Sequence, residues 1–138
     1  MSSTAPLTRA LRLHLVVAGE EALPVDAALS YLASDPYAVT AVFHADETSP
    51  VTWTFGRDLL AAGLNEPSGE GDVGVWPSTS RGAAVVCMAL TSPSGQALLE
   101  ASRTDVETFL AASYELVPSG TESSHLDLDQ DLLRLLAG

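Results

Sequence analysis

The sequence contains no lysine, and its six cationic side chains are all arginines. Eighteen aspartates and glutamates oppose them, which gives the 138-residue chain a formal net charge of −12. Proteins bind a phosphate backbone largely through lysines and arginines that displace counterions, and six cations are too few for a basic stripe. The charge therefore argues against nucleic acid and anionic lipid as partners, and favours neutral or basic ones.

Cysteine and long apolar runs are also scarce. Cys87 is the single cysteine, which excludes an internal disulfide and a cysteine-based zinc cluster. It lies in the most apolar segment, so we expect a buried, inert thiol with a raised pKa. The longest apolar runs, 15–18 and 83–90, fall far short of the ~20 residues that span a bilayer. Residues 1–7 lack the pattern of a secretory signal, and we expect a cytoplasmic protein.

The remaining composition is that of an ordinary globular protein, with 46% apolar residues. The length suits one domain with a single core. We therefore expect one domain over residues 1–138, with residues 1–8 flexible.

The pattern of apolar residues and turn signals predicts seven strands, of which the first four alternate apolar and polar residues. The predicted strands are 11–17, 23–31, 37–43, 51–55, 72–76, 83–90 and 96–101. The first four follow one another through short connections, which favours an antiparallel meander. Pro77 is expected to end the fifth strand. Segment 83–90 is apolar at both parities, so we expect helices or another subunit to cover both of its faces.

Residues 57–64 predict a short helix after the fourth strand. We expect Gly63 to end it in a left-handed conformation, with Leu64 folding back onto Leu59. Residues 67–71 follow as a loop rich in turn-forming residues.

Two further helices are predicted near the C-terminus. Thr104 and Glu107 have the spacing of a capping box, and Pro118 ends the helix that they begin. The last helix is expected to start at Asp127 or Asp129, where acidic residues favour the helix dipole.

No reactive side chains have the spacing of a catalytic or metal-binding motif. The histidines, which are expected to be solvated or structural because no two are closely spaced, are His14, His44 and His125. The serines, which are expected in turns and lie outside any Gly-x-Ser-x-Gly elbow, are Ser78, Ser80, Ser92 and Ser94.

Two segments have a partial likeness to ligand-binding loops. Residues 69–71 are glycine-rich but lack the lysine and the following helix of a phosphate-binding loop. The alternating acids Asp127, Asp129 and Asp131 lack the glycine and the terminal glutamate of a calcium loop. We therefore expect no enzyme, no metal and no cofactor.

The two tryptophans differ in their expected surroundings. Trp53 alternates with threonines and is expected in the core. Trp76 lies on the face of the strand opposite to Val73 and Val75. Either a helix covers that face, or Trp76 contacts another subunit or a partner protein.

Four stretches together resemble one known family. They are residues 35–39, 53–60, 71–78 and 125–130, which read DPYAV, WTFGRDLL, GDVGVWPS and HLDLDQ. In this order, in an acidic chain of this length, they resemble the SsgA-like proteins of sporulating actinomycetes. The resemblance covers the chain from about residue 11 onwards.

The resemblance implies a role in sporulation-specific cell division at the septum. It implies work with SsgA-type division proteins to position the tubulin-like protein FtsZ. It also implies a fold similar to the Whirly proteins and a ring-like homo-oligomer, which we expect to be a trimer. Combined with the strand pattern, this predicts an α+β fold with about seven antiparallel strands in two sheets, a short mid-chain helix and two C-terminal helices.

Binding rather than catalysis is therefore the expected activity. The residues that we expect at a partner-binding or oligomer interface are Tyr37, Trp76, Arg81, Val86 and Met88. The alternative is a single-stranded nucleic-acid-binding protein, reached from the fold alone, which is a poor guide to function. Such binding needs a positive groove with stacking aromatics, and this charge balance offers little of either.

Overall fold

The computed structural model describes residues 6–16, 23–44, 50–93 and 95–125. These residues form eight strands, two α-helices and a short 3-10 helix. The strands are β1 Leu7–Leu15, β2 Leu23–Tyr31, β3 Ala38–His44, β4 Val51–Gly56, β5 Ser68–Glu70, β6 Val73–Ser80, β7 Ala83–Ser92 and β8 Gly95–Ser102. The helices are α1 Arg57–Ala62, α2 Arg103–Leu116 and the 3-10 helix Glu122–His125. All seven predicted strands are confirmed.

All eight strands belong to one antiparallel sheet, in the order β4-β3-β2-β1-β8-β7-β6-β5. The two expected sheets are therefore not found. The reason is a short seam, where β1 pairs with β8 at His14–Glu100 and Leu15–Leu99 and so joins two four-stranded meanders. The sheet also curls towards a closed barrel. A β-carbon placed on Gly56, at the end of β4, would lie 3.5 Å from Oε2 of Glu70 in β5.

The inner face of this curled sheet forms the core, and period-two patterning selects it. In β2, for example, Val25, Ala27 and Leu29 are buried while Asp26 between them is exposed. Residues from both meanders join one apolar cluster. Burial of these side chains, worth about 25 cal/mol per Å² of apolar surface, holds the curled shape.

Strand β7 is apolar on both faces, but its two faces differ in burial. Val86, Met88 and Leu90 face the core and are buried. On the outer face Cys87 is buried, whereas Val85 and Ala89 are only partly buried. The expected cover is thus found on the inner face from Val86 to Leu90 and only in part on the outer face, whereas Ala83 and Ala84 are exposed.

The two α-helices close one end of the sheet, because α1 follows directly from β4 and α2 from β8. The positions of α2 expected in the core are buried: Val106, Phe109, Leu110, Ser113 and the following Val117. The predicted capping box at Thr104 is wrong. The N-cap is Ser102, whose Oγ accepts a hydrogen bond from the Asp105 N–H at 3.4 Å.

Two strand boundaries were mispredicted. Strand β1 begins at Leu7, so residues 7 and 8, which were expected to be flexible, are paired with β2. Strand β6 continues through Pro77 to Ser80. Pro77 is tolerated because β5 pairs with β6 only up to Val75, which leaves the strand at Pro77 with an open edge where no N–H is needed.

The segment 67–71 was expected to be a loop, but Ser68–Glu70 forms the short strand β5. It carries no apolar side chain, so alternation could not reveal it. Gly71 turns the chain into β6 with a φ of 59°, which favours glycine. Ser78, Ser80 and Ser92 likewise lie in strands rather than turns.

Gly63 follows α1, but its φ of −66° is right-handed, so the predicted left-handed cap is wrong. The glycine is needed for space. A β-carbon there would lie 2.2 Å from Cγ1 of Val75, a fully buried side chain of β6. Helix α1 thus packs onto β6 at a distance that only glycine allows.

The last predicted helix, with Asp127, Asp129 and Asp131, lies outside the described residues. Ser94 and residues 1–5 lie outside them as well. In the part of the chain that is described, no helix combines the length and the apolar character needed to cross a membrane.

We predict that Gly63→Ala destabilises the fold by about 1–3 kcal/mol, because the added methyl overlaps Val75 in a close-packed core. Gly74→Ala is the matched control. Its β-carbon would meet the Trp76 ring at an ordinary 3.8 Å, so we expect a change of about 0.5 kcal/mol or less. Urea unfolding measures both, and equal effects would contradict the close approach.

Candidate functional site

The five residues expected at an interface occupy different surroundings. Val86 and Met88 are 0% and 3% exposed and belong to the core of the chain itself. Tyr37 is 49% exposed in the turn before β3. Trp76 is partly exposed on β6, with its ring over Gly74. Arg81 is exposed at the tip of the β6–β7 hairpin.

The three surface residues of this set lie on different parts of the chain: the turn before β3, strand β6 and the β6–β7 hairpin. No hydrogen bond or ion pair between described residues joins Tyr37, Trp76 and Arg81. Arg81 and Gly82 have φ values of 54° and 77°, which indicates a tight hairpin turn with both central residues left-handed. The position of Arg81 is therefore set by the turn, and it stands apart from the other two.

The most unusual side chain is Arg57, at the start of α1, which is 1% exposed. Its Nη1 donates to the main-chain oxygens of Ser113 at 3.1 Å and Val117 at 2.8 Å. Its guanidinium carbon lies 4.9 Å from the ring centre of Tyr31 and 4.2 Å from that of Tyr114. A planar guanidinium can donate to several carbonyls and still stack on aromatic rings, which lysine cannot do.

The charge of Arg57 is balanced by Glu122 of the 3-10 helix. Nη2 of Arg57 donates to Oε2 of Glu122 at 3.1 Å, and the other carboxylate oxygen accepts from the Gly120 N–H at 2.8 Å. A hydrogen bond from its own main-chain N–H, with further ones from Arg57 and Gly120, holds the pKa of Glu122 below its usual 4.5 against the opposing effect of burial. Burial raises the pKa of Tyr31 and Tyr114, although the Arg57 charge acts in the opposite direction.

The Arg57–Glu122 pair therefore fastens three elements together: the start of α1, the end of α2 and the 3-10 helix. Sequence reasoning missed this role, because Arg57 was noted only as part of the stretch 53–60. The available signal was a single cation placed between the apolar strand β4 and the apolar residues Leu59 and Leu60. Among described residues, Nε of Arg57 is the one buried side-chain polar atom without a hydrogen-bond partner.

The opposite end of the sheet is open and apolar. We call this cleft of about 340 Å³ the mouth. It lies where β4 and β8 begin, and so at the far end from the helices that follow those strands. It is lined by Leu15, Val25, Phe43, Val51, Trp53, Leu90, Ser92, Gly95, Gln96, Ala97 and Leu99. Trp53, expected in the core, lies partly buried at this border.

A smaller cleft of about 190 Å³, which we call the slot, lies between β4 and the β5–β6 hairpin. It is lined by Trp53, Thr54, Phe55, Glu70, Asp72 and Val73. Trp53 thus separates the slot from the mouth. Glu70 and Asp72 are exposed and form no ion pair with any described residue.

A third cleft, of about 230 Å³, lies on the outer face of the sheet and is lined by both apolar and charged residues. Arg12, His14, Arg81 and Glu100 are among its lining residues. Arg12 already pairs with Asp26 at 3.4 Å. Within the described ranges, no three His, Cys, Asp or Glu side chains lie close enough to hold a metal ion. His44 is exposed at the end of β3 as expected.

Cys87, on the outer face of β7, is buried as predicted and is a free thiol. Burial raises the pKa of this thiol, and the nearby charge of Glu100 adds to the effect, against a hydrogen bond with Ser78. A thiol with a raised pKa is a weak nucleophile at neutral pH. The prediction of a buried cysteine with a raised pKa is confirmed.

Comparison with known proteins identifies the family. A family model described as the Streptomyces sporulation and cell division protein SsgA matches residues 25–122, which is more than half of the chain. The chain belongs to the SsgA-like family. The sporulation-specific cell division protein SsgB of Streptomyces coelicolor is 55% identical over 127 residues, covering 92% of this chain and 93% of that protein. The SsgB of Frankia casuarinae is 45% identical over 132 residues, covering 96% of this chain and 92% of that protein.

Solved structures of the SsgA-like family agree with the fold. An SsgB structure of Streptomyces coelicolor superposes with a TM-score of 0.86 at 50% identity, covering 91% of this chain and 100% of that one. An SsgA-like sporulation-specific cell division protein of Thermobifida fusca superposes with a TM-score of 0.87 at 41% identity, covering 97% and 98%. The predicted family is thus confirmed, whereas the likeness to Whirly proteins stays a prediction.

The low pKa of Glu122 predicts how stability depends on pH. A carboxyl whose pKa is lower in the folded than in the unfolded state stabilises the fold above its unfolded pKa, and this contribution is lost as the pH falls through the folded value. We expect Glu122→Gln to lower the free energy of unfolding at neutral pH. The difference from the parent protein should shrink as the pH falls below 4.5.

Urea unfolding at several pH values measures this difference. Glu115→Gln, which changes an exposed glutamate of α2, is the matched control and should have little effect at any pH. A Glu122→Gln penalty that stays constant down to strongly acidic pH would contradict the ionic role.

Proposed function

We propose that this protein is a non-catalytic adaptor in sporulation-specific cell division, which helps to position FtsZ and septa during sporulation. The observation that carries the proposal is the match to sporulation-specific cell division proteins named SsgB over 92% of the chain. The match also spans 93% of that relative's length, so the similarity extends over the whole domain. An adaptor at the division septum, working with SsgA-type proteins, fits this family best.

The described surface supports binding rather than chemistry. The polar cluster around Arg57 is buried, so it holds the fold together and is not accessible to a substrate. The mouth, which is larger than the slot and the third cleft, is apolar, and apolar clefts with aromatic borders are where protein partners gain most of their affinity. Trp76 and Tyr37 add two partly or well exposed aromatic rings.

The alternative, a single-stranded nucleic-acid-binding protein, has little support in the charges. Of the described arginines, Arg57 is buried, and Arg12 and Arg103 are paired with carboxylates. Arg9 and Arg81 remain, which is too few to follow a phosphate backbone. We therefore do not favour this alternative.

Direct contact with FtsZ is tested by co-sedimentation. We expect the protein to enter the pellet with FtsZ polymers in the presence of GTP, and to stay in the supernatant without them. Trp76→Ala should reduce the pelleted fraction, since truncating an aromatic anchor typically costs about 2 kcal/mol or more. Thr8→Ala, at an exposed position of β1, is the control. Absence of the protein from the pellet, with unchanged FtsZ assembly, would contradict the proposal.

We also propose that the chain assembles into a homo-oligomer, a trimer by resemblance to its family. The partly exposed outer face of β7 and Trp76 offer apolar surface for such contacts. Light scattering at tens of micromolar protein should give about three times the chain mass of 14.4 kDa. A monomer mass at that concentration would refute the proposal.

A further inference from the structure

Strand β4 is the last strand of the sheet and has a free edge. It lies at one end of the strand order, and β3 is the one described strand with which it pairs. A free edge presents main-chain N–H and C=O groups to which another extended segment can bind. Proteins commonly cover or interrupt such edges. No further described strand pairs with this one: the β5–β6 hairpin faces its Thr54–Phe55 end across the slot, whereas its Val51 end borders the mouth.

The hydrogen-bond pattern shows which groups point outwards. The Arg57 N–H donates to the Tyr37 oxygen at 2.8 Å, in register with the β3–β4 pairing. In an antiparallel ladder, hydrogen-bonded pairs alternate with non-bonded pairs. Arg57 belongs to a hydrogen-bonded pair, so every second residue before it does as well. These residues direct their main-chain groups towards β3, and they are Phe55, Trp53 and Val51. Thr52 and Thr54 therefore direct theirs to the free edge.

The two ends of this edge differ in chemistry. At one end Val51 is 49% exposed and, with Trp53, borders the apolar mouth. At the other end the slot brings two carboxylates, those of Glu70 and Asp72, beside Thr54 and Phe55, and neither forms an ion pair with a described residue. Four residues separate the ends, which is roughly 13 Å at the usual strand rise of ~3.3 Å per residue.

We propose that the free edge of β4 binds an extended segment of a partner protein as a ninth strand. An apolar side chain of that segment enters the mouth, and a lysine or arginine two to four residues away lies beside Glu70 and Asp72. Main-chain hydrogen bonds to Thr52 and Thr54 supply affinity, and the two ends supply specificity. This proposal rests on the edge itself and does not depend on FtsZ being the partner.

A second copy of this chain is a poor occupant of the edge. In an antiparallel pairing of two β4 edges, Glu70 and Asp72 of each copy would face the apolar mouth of the other, whose described lining contains no cation to pair with them. The chain has no lysine. A basic partner is also what the net charge of −12 attracts over longer distances.

The test uses a fluorescein-labelled peptide of alternating valine and threonine, with phenylalanine near one end and two arginines near the other. It is made in both orientations, because an added strand runs either way. Fluorescence anisotropy should show saturable binding of one orientation to the full chain. Binding should weaken with added salt, which screens the charges.

Thr52→Pro removes one outward N–H, and it should weaken binding roughly three- to tenfold, as expected for one main-chain hydrogen bond. Thr52→Ala keeps that N–H and should bind like the parent protein. An edge strand tolerates proline where its N–H faces outwards, and circular dichroism checks that the variant folds. Equal binding by the two variants would overturn the proposal.

Glu70→Gln combined with Asp72→Asn should weaken binding several-fold at low salt, and the difference should shrink at high salt. The matched control is Asp35→Asn with Glu115→Gln, which removes the same charge from exposed positions elsewhere. Equal binding by both double variants would show attraction by net charge alone and overturn the proposal.

Failure of both peptides to bind would also overturn the proposal. Loss of an oligomer in Thr52→Pro alone would place a second copy on the edge, which also overturns it.

Discussion

The fold depends on a single buried cation, the guanidinium of Arg57. Taking a charge out of water is costly, and the cost is offset here by a carboxylate, two carbonyls and two aromatic rings. These partners come from elements that are distant in sequence, including Tyr31 of β2 and Glu122 near the end of the described chain. The residues that match the family, 25–122, contain the whole cluster and end at Glu122.

The molecule has two unlike ends. At the helical end, Arg57 and the close contact of Gly63 with Val75 leave little freedom for movement. At the other end, the mouth and the free edge of β4 expose apolar side chains and unpaired main-chain groups. Binding sites on rigid scaffolds lose less conformational entropy when they are occupied. The arrangement suits a protein that holds other proteins in place.

Much of the fold could be read from the sequence because burial imposes a period of two on a strand that faces a core. Residues 23–31 show this alternation, and the structure has a strand there. Ser68–Glu70 could not be read, since a three-residue edge strand buries nothing apolar. The N-cap at Ser102 was missed because Thr104 and Glu107 also have the spacing of a capping box, and the sequence pattern does not distinguish the two positions. The role of Arg57 depends on partners 56 to 65 residues away, which no local pattern encodes.

The seam between the two meanders has a mechanical consequence. Strand β1 is in register with β2 over nine residue pairs but with β8 over only two. The main chain thus contributes little along this line, and the apolar side chains behind it keep the two halves together. The two halves are therefore joined mainly through side chains: the shared apolar cluster, and the pair between Arg57, which follows the first meander, and Glu122, which follows the second.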